Sequence, residues 1–136
     1  MIEFDLASAL PRALRLSDMK NLGNDLAKRL KMRQSRSVGV RFVSARDMQT
    51  LNRRYRGKNR PTDVLSFAIP DQSSLGDLAI CSSYARKNNK NLRGELIRLL
   101  AHGVLHLAGF DHATARTEAR MFRLQERCIS TVLSST

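Results

Sequence analysis

All three histidines of this 136-residue chain, His102, His106 and His112, fall within eleven positions. The first two stand four apart, so a helix through them carries both imidazoles on one face. Gly109 follows, a residue that lets a backbone leave a helix through the left-handed region and bring His112 back toward the pair. Three neutral imidazoles converging in this way suit one zinc ion, with a fourth position open for water, as in catalytic rather than closed structural sites. The alternative is three core histidines that are neighbours only in sequence. The apolar surroundings of the first two weigh against it, because buried imidazoles need partners and a metal supplies them.

The spacing H-x3-H-x2-G-x2-H is also that of the metzincin proteases. Those enzymes need Glu directly after the first histidine as general base. Gly103 stands there and moves no proton, which disfavours peptide hydrolysis. Glu95, about two turns earlier, is either an outer-sphere group or, on the stronger reading, a helix-start charge. Asp111 either orients an imidazole or shapes the turn after Gly109.

These residues need a scaffold. Glu95–Ala108 is apolar on nearly every face, so it reads as a buried helix. Residues 1–6 read as a strand. Ser17 is the expected cap of an amphipathic helix with Met19, Leu22, Leu26 and Leu30 on its inner face. Val38, Val40 and Phe42 alternate along a strand over 37–44. Ser44 caps a second helix with Met48, Leu51 and Tyr55 as its stripe. Strands are expected over 63–69 and 77–81, with loops over 57–62 and 71–76. A short helix over 82–91 and a long one over 114–133, facing inward through Met121, Leu124, Cys128 and Leu133, complete the order. The expectation is one α+β domain over residues 1–136, with a mixed sheet of about four strands packed by about five helices.

Charge narrows the partners. Lys plus Arg number 24 and Asp plus Glu 12, a net +12. Residues 1–60 hold 15 basic and 5 acidic residues (net +10), and residues 61–136 hold 9 and 7 (net +2). Twelve cations lie between Lys28 and Arg60 with Asp47 as the one acid. Such a field attracts polyanions, nucleic acid first and anionic lipid second, against the alternative of a merely solvated face. No apolar run is long enough to span a bilayer, and no basic leader precedes an apolar stretch. Cys81 and Cys128 form neither a CxxC pair nor a disulfide framework, which favours a cytoplasmic setting.

Three segments together resemble one family. HGVLHLAGFDH over 102–112 is similar to the HGxLHLxGYDH signature of the YbeY endoribonuclease and rRNA maturation factors. LNRRYRGKNRPTDVLSF over 51–67 is similar to their LNxxYRGKDxPTDVLSF segment, and LGDLAI over 75–80 to their LGDIxI strand. The segment after the histidines departs from the acidic character common in the family, since Ala113–Arg120 holds Glu118 against Arg116 and Arg120. The resemblance implies a metal-dependent endonuclease specific for single-stranded RNA, working in small-subunit rRNA 3′-end maturation and ribosome quality control. It implies zinc held by His102, His106 and His112, and an important arginine at Arg56. Its implied partners are the small ribosomal subunit, that subunit's RNA and proteins, and a ribosome-assembly GTPase.

Chemistry on a phosphodiester gives Arg56 a role. A guanidinium is permanently charged and matches phosphate bidentately. At the end of a basic helix beside a glycine loop, Arg56 is the candidate to clamp the scissile phosphate or stabilise its transition state, the alternative being one more solvated arginine. The nucleophile, an activated water or the RNA's own 2′-OH, stays open. Arg53, Arg54, Lys58 and Arg60 are candidates for backbone phosphates, the alternative being a solvated face. Aromatic residues make up 5% of the chain, with no Trp, so base stacking of the RRM kind is not expected. Two other readings compete: a zinc hydrolase of another substrate, and a non-catalytic assembly factor whose zinc is structural. Cys81 is the one thiol available to close such a site.

Overall fold

The periodic segments become β1 (Ile2–Leu6), α1 (Leu16–Arg29), β2 (Arg36–Phe42), α2 (Ala45–Arg56), β3 (Val64–Ala68), β4 (Ser74–Ile80), α3 (Ser82–Asn88), α4 (Leu92–Leu107) and α5 (Ala115–Ser134). The computed structural model describes every residue except Pro70, Gln72, Asn89, Lys90, Asp111, His112 and Thr136, together with the side chain of Asn88. The sheet order is β1-β2-β4-β3. β1 and β4 run parallel to β2, and the edge strand β3 runs antiparallel to β4. This is the expected α+β fold with four strands and five helices.

Several element starts differ from the sequence reading, each for a local reason. α1 begins before Ser17, with Arg15 at the cap position. Asp18 turns its carboxylate back to accept the Arg15 backbone N–H at 3.0 Å. Arg93 of α4 holds that carboxylate at 2.7 and 3.1 Å, and its guanidinium keeps the Asp18 pKa below the ordinary range. α4 starts at Leu92 because the Asn91 carboxamide oxygen accepts the Gly94 N–H at 3.1 Å. β4 starts at Ser74, inside the expected loop, because Ser74 pairs with Ser37 before the register slips by one residue at Leu75. The Ser44 cap of α2 stands as expected, its hydroxyl accepting the Asp47 N–H at 3.1 Å.

The strand alternation splits the core into two faces. Leu78 and Ile80 of β4 join Leu22, Leu26, Leu96 and Leu100 in the main core beneath α1, α4 and α5. Ala79 and Cys81 point the other way, onto Met48 of α2 and Leu65 of β3. Tyr55 was expected in the α2 stripe, yet it is 59% exposed and packs edge-on against Phe67. Asn52 takes the buried place on that helix instead. Burying side chains such as Leu96, Ile97, Leu100 and Leu105, all at 0% exposure, stabilises the fold by roughly 1.5–3 kcal/mol each. α4 is therefore the most rigidly seated element, and it is the one that carries the histidine pair. No helix of the described residues is long and apolar enough to cross a membrane.

Candidate active site

His102 and His106 lie on the one side of α4 that is not sealed, and both are half-buried. Their Nε2 atoms stand 3.1 Å apart, with ring centroids at 4.6 Å and planes at 77°. His102 Nδ1 lies 2.9 Å from Gln125 Oε1 on α5. The Gln125 amide nitrogen in turn donates toward Glu126 Oε2 at 3.4 Å, which fixes the amide so that its oxygen faces the ring. An amide oxygen only accepts. The network therefore assigns the His102 proton to Nδ1 and points the Nε2 lone pair at His106.

Two imidazole nitrogens bound to one tetrahedral zinc at about 2.0–2.1 Å stand about 3.3 Å apart. The observed separation fits that requirement, and the Gln125 contact is the kind of outer hydrogen bond that fixes a ligating imidazole. Beyond His106 the helix closes on Ala108, with Gly109 at φ +102°. Gly109 N–H donates to His106 O and Phe110 N–H to Leu105 O, both at 3.0 Å. This paired closure redirects the chain after the histidine pair. His112 and Asp111, the expected third ligand and its neighbour, lie outside the described residues.

Gly103 has a packing explanation. A Cβ added there would sit 2.6 Å from Leu78 Cδ2, so the position faces β4 and not the histidine cleft. A glutamate at 103 has no room and could not reach the imidazoles. The missing protease base is thus a consequence of how tightly α4 lies on the sheet.

The opposite wall comes from α2 and the loop after it. Arg56 ends α2, Gly57 closes the helix with φ +70°, and the loop carries the chain to edge strand β3. Arg56, Thr62, Asp63, Ser66, His102 and His106 all line one cleft of about 570 Å³. Asn52 anchors the loop: its buried side-chain amide donates to Arg60 O at 2.8 Å, and its backbone carbonyl accepts the Lys58 N–H at 3.3 Å. Asp63 also caps the strand start, accepting the Val64 N–H at 2.8 Å. Arg53, Arg54, Lys58 and Arg60 are exposed and are not among the described cleft-lining residues.

Sequence reasoning missed Gln125, Ser66 and Asn52. A polar residue in the buried stripe Met121, Gln125, Cys128, Val132 was the available signal for the first. Leu124 and Leu133, expected inside, are only partly buried. Glu95 pairs with Arg98 at 3.3 Å, and Arg98 also meets Glu126, so Glu95 acts near the helix start. Cys81 is buried in the smaller core, 3.3 Å from Ser83 Oγ, and is not among the described lining residues. Burial pushes the Cys128 thiol up to about 12, so it stays protonated at neutral pH.

The fold and the sequence have counterparts in known proteins. A solution structure of a Thermotoga maritima protein matches with a TM-score of 0.65 and 28% identity, covering 98% of this chain and 90% of that one. The family model described as endoribonuclease YbeY matches residues 10–133. The Persephonella marina endoribonuclease YbeY is 38% identical over 108 residues, 71% of each chain. The Bacillus subtilis endoribonuclease YbeY is 34% identical over 131 residues, covering 84% of this chain and 83% of that one. Fold and sequence together define the class as a small α+β ribonuclease. The chain belongs to the endoribonuclease YbeY family.

Proposed function

We propose that the chain is a zinc-dependent endonuclease specific for single-stranded RNA, with His102, His106 and His112 holding one zinc ion and Arg56 engaging the scissile phosphate. The observation that carries this reading is the shared cleft, lined by Arg56 together with two imidazoles whose Nε2 atoms stand 3.1 Å apart. Zinc, when bound, supplies Lewis-acid polarisation of a phosphoryl oxygen and lowers the pKa of its water toward neutrality.

The protein's own residues do the rest. Gln125 keeps the His102 proton on Nδ1 and so presents Nε2 to the site. Arg56 brings a fixed positive charge to the phosphate, neutralising charge as it develops on the non-bridging oxygens. Asn52 holds the loop behind Arg56 and is a positioning residue. Arg53, Arg54, Lys58 and Arg60, exposed around the cleft, bind flanking phosphates, and Asp111 supports the metal-binding set from beside His112. The setting proposed is maturation of the small-subunit rRNA 3′ end and ribosome quality control in the cytoplasm, with the small ribosomal subunit, its proteins and an assembly GTPase as partners. Support for that setting comes from family membership and from the basic N-terminal half.

Two observations favour this reading over its competitors. Gly103 packed on Leu78 leaves no place for a protease base. Cys81 facing Ser83 in the other core offers no fourth ligand to close the site. The test is cleavage of matched single-stranded and duplex RNAs after chelation and after zinc is restored, with His106→Ala prepared identically. The expected result is single-strand cleavage that chelator abolishes, zinc restores and His106→Ala lacks. Cleavage that survives both chelator and His106→Ala would overturn it.

A further inference from the structure

A second cavity, about 690 Å³, opens where the C-terminal end of α1 meets the segment after α4 and the first half of α5. Arg29, Lys31, Arg33, Arg36 and Arg120 line it beside Phe110, and no Asp or Glu is among its described lining residues. Arg29 is occupied by Asp25 at 2.8 Å and Thr131 at 3.0 Å. Lys31, Arg33, Arg36 and Arg120 form no ion pair with any described carboxylate. Four cations without an ion-pair partner among the described residues, set around one concavity, favour an anion among them.

Lys31 adds an independent sign. It adopts φ +55°, directly after the α1 cap Leu30, with Lys31 N–H donating to Lys28 O at 3.2 Å and Met32 N–H to Ala27 O at 3.0 Å. Glycine is the default residue for that closure, and any other residue carries backbone strain there. The chain places a cation at the cavity rim where glycine would relieve the backbone. The Arg120 guanidinium lies over the Phe110 ring, 5.4 Å from its centroid, and such a plane can stack on a base.

The cavity also connects to the histidine cleft. A smaller depression of about 400 Å³ shares Arg36 and Leu75 with the basic cavity. It shares Ala68 and Leu107 with the histidine cleft. The three openings thus adjoin one another in a row.

We propose that this row of openings carries single-stranded RNA, with the scissile phosphate at the histidine cleft and the flanking backbone held in the basic cavity by Lys31, Arg33, Arg36 and Arg120. The inference rests on the ribonuclease reading above and extends it with a remote binding site. The charges come from two separate stretches, residues 31–36 and the segment after the histidines, which only the fold brings together.

The test uses the full chain, a short single-stranded oligoribonucleotide that fills the cleft alone, and one about ten nucleotides longer at either end. Wild type is compared with Lys31→Gly and with a triple variant, Lys31→Gly/Arg33→Gln/Arg120→Gln. None of these residues lines the histidine cleft. The expected result is at least about tenfold weaker binding of the long RNA by the triple variant, with its log–log salt slope reduced by about 2. Cleavage of the short RNA stays unchanged. Lys31→Gly alone weakens long-RNA binding while its Tm holds or rises, which a purely structural lysine would not do.

Equal losses on both RNAs, or none on either, overturn the proposal while leaving the ribonuclease reading intact. Loss of binding to anionic phosphatidylserine vesicles with RNA binding retained makes the cavity a lipid site and overturns it too. A wild-type chain that neither binds nor cuts single-stranded RNA overturns both readings.

Discussion

The two walls of the histidine cleft are built in opposite ways. The α4 wall is set in the densest part of the core, and Gln125 of α5 fixes the first imidazole from behind. The arginine wall is the exposed end of α2 and a loop, anchored through Asn52 and bringing Arg56 to the cleft, while Arg53, Arg54, Lys58 and Arg60 stand in solvent outside its described lining. Under the proposed function, the difference is a division of labour. Groups that must share one ion need positions fixed to a fraction of an ångström, and a packed helix gives that. A group that must follow a phosphate through a reaction needs charge and reach more than rigidity.

Substitutions can break this contrast. The largest effect is expected at Gly103. Gly103→Glu recreates the protease motif but drives a carboxylate into Leu78, and should cost more than about 4 kcal/mol through overpacking and buried charge. Chemical denaturation would read this as loss of the folded state. A Gly103→Glu chain that folds normally would mean that α4 is far less tightly seated than the geometry says.

Gln125→Leu leaves the helix packed but frees the His102 ring. Zinc affinity should fall about 10–100-fold, as measured by competition with a chromogenic chelator. Asn52→Ala touches only the arginine wall. It should lower stability by about 1 kcal/mol and reduce kcat/KM severalfold with zinc affinity unchanged. A change in zinc affinity there would erase the distinction between the walls.

A gentler effect concerns pH. Asp18 has its pKa lowered chiefly by its hydrogen bond from Arg93. Its contribution is complete above the unfolded carboxylate pKa, near 3.8. It is lost as pH falls through the lower folded value. Tm should therefore drop on acidification below about pH 4, with a shallower acid limb in Asp18→Asn.

Much of this was legible in the chain itself. Helical periodicity marked α1, α2, α4 and α5, and turn residues marked the loops, because those signals are local. The i, i+4 histidine pair could be picked out for the same reason, whereas Arg56 stood apart from its neighbouring arginines only through the family resemblance. What stayed hidden depends on residues far apart in sequence. Gln125 meets His102 across 23 positions, and nothing in the spacing of α5 says which helix its buried side faces. Gly103 read only as a missing base until Leu78 was seen against it. The net +10 of the N-terminal half predicted a polyanion, yet the basic cavity also needs Arg120 from α5. Strand ends shifted because pairing partners, such as Ser37 for Ser74, extend a strand into residues that look like a loop.

The central claim is that Arg56 serves the phosphate and the histidines serve the metal. Arg56→Ala, measured in parallel for zinc content and single-turnover RNA cleavage, tests it most directly. The account predicts zinc at the wild-type level and cleavage reduced by about 10²–10³-fold, the usual loss for a removed charge-stabilising donor. Full cleavage at normal zinc content would contradict it.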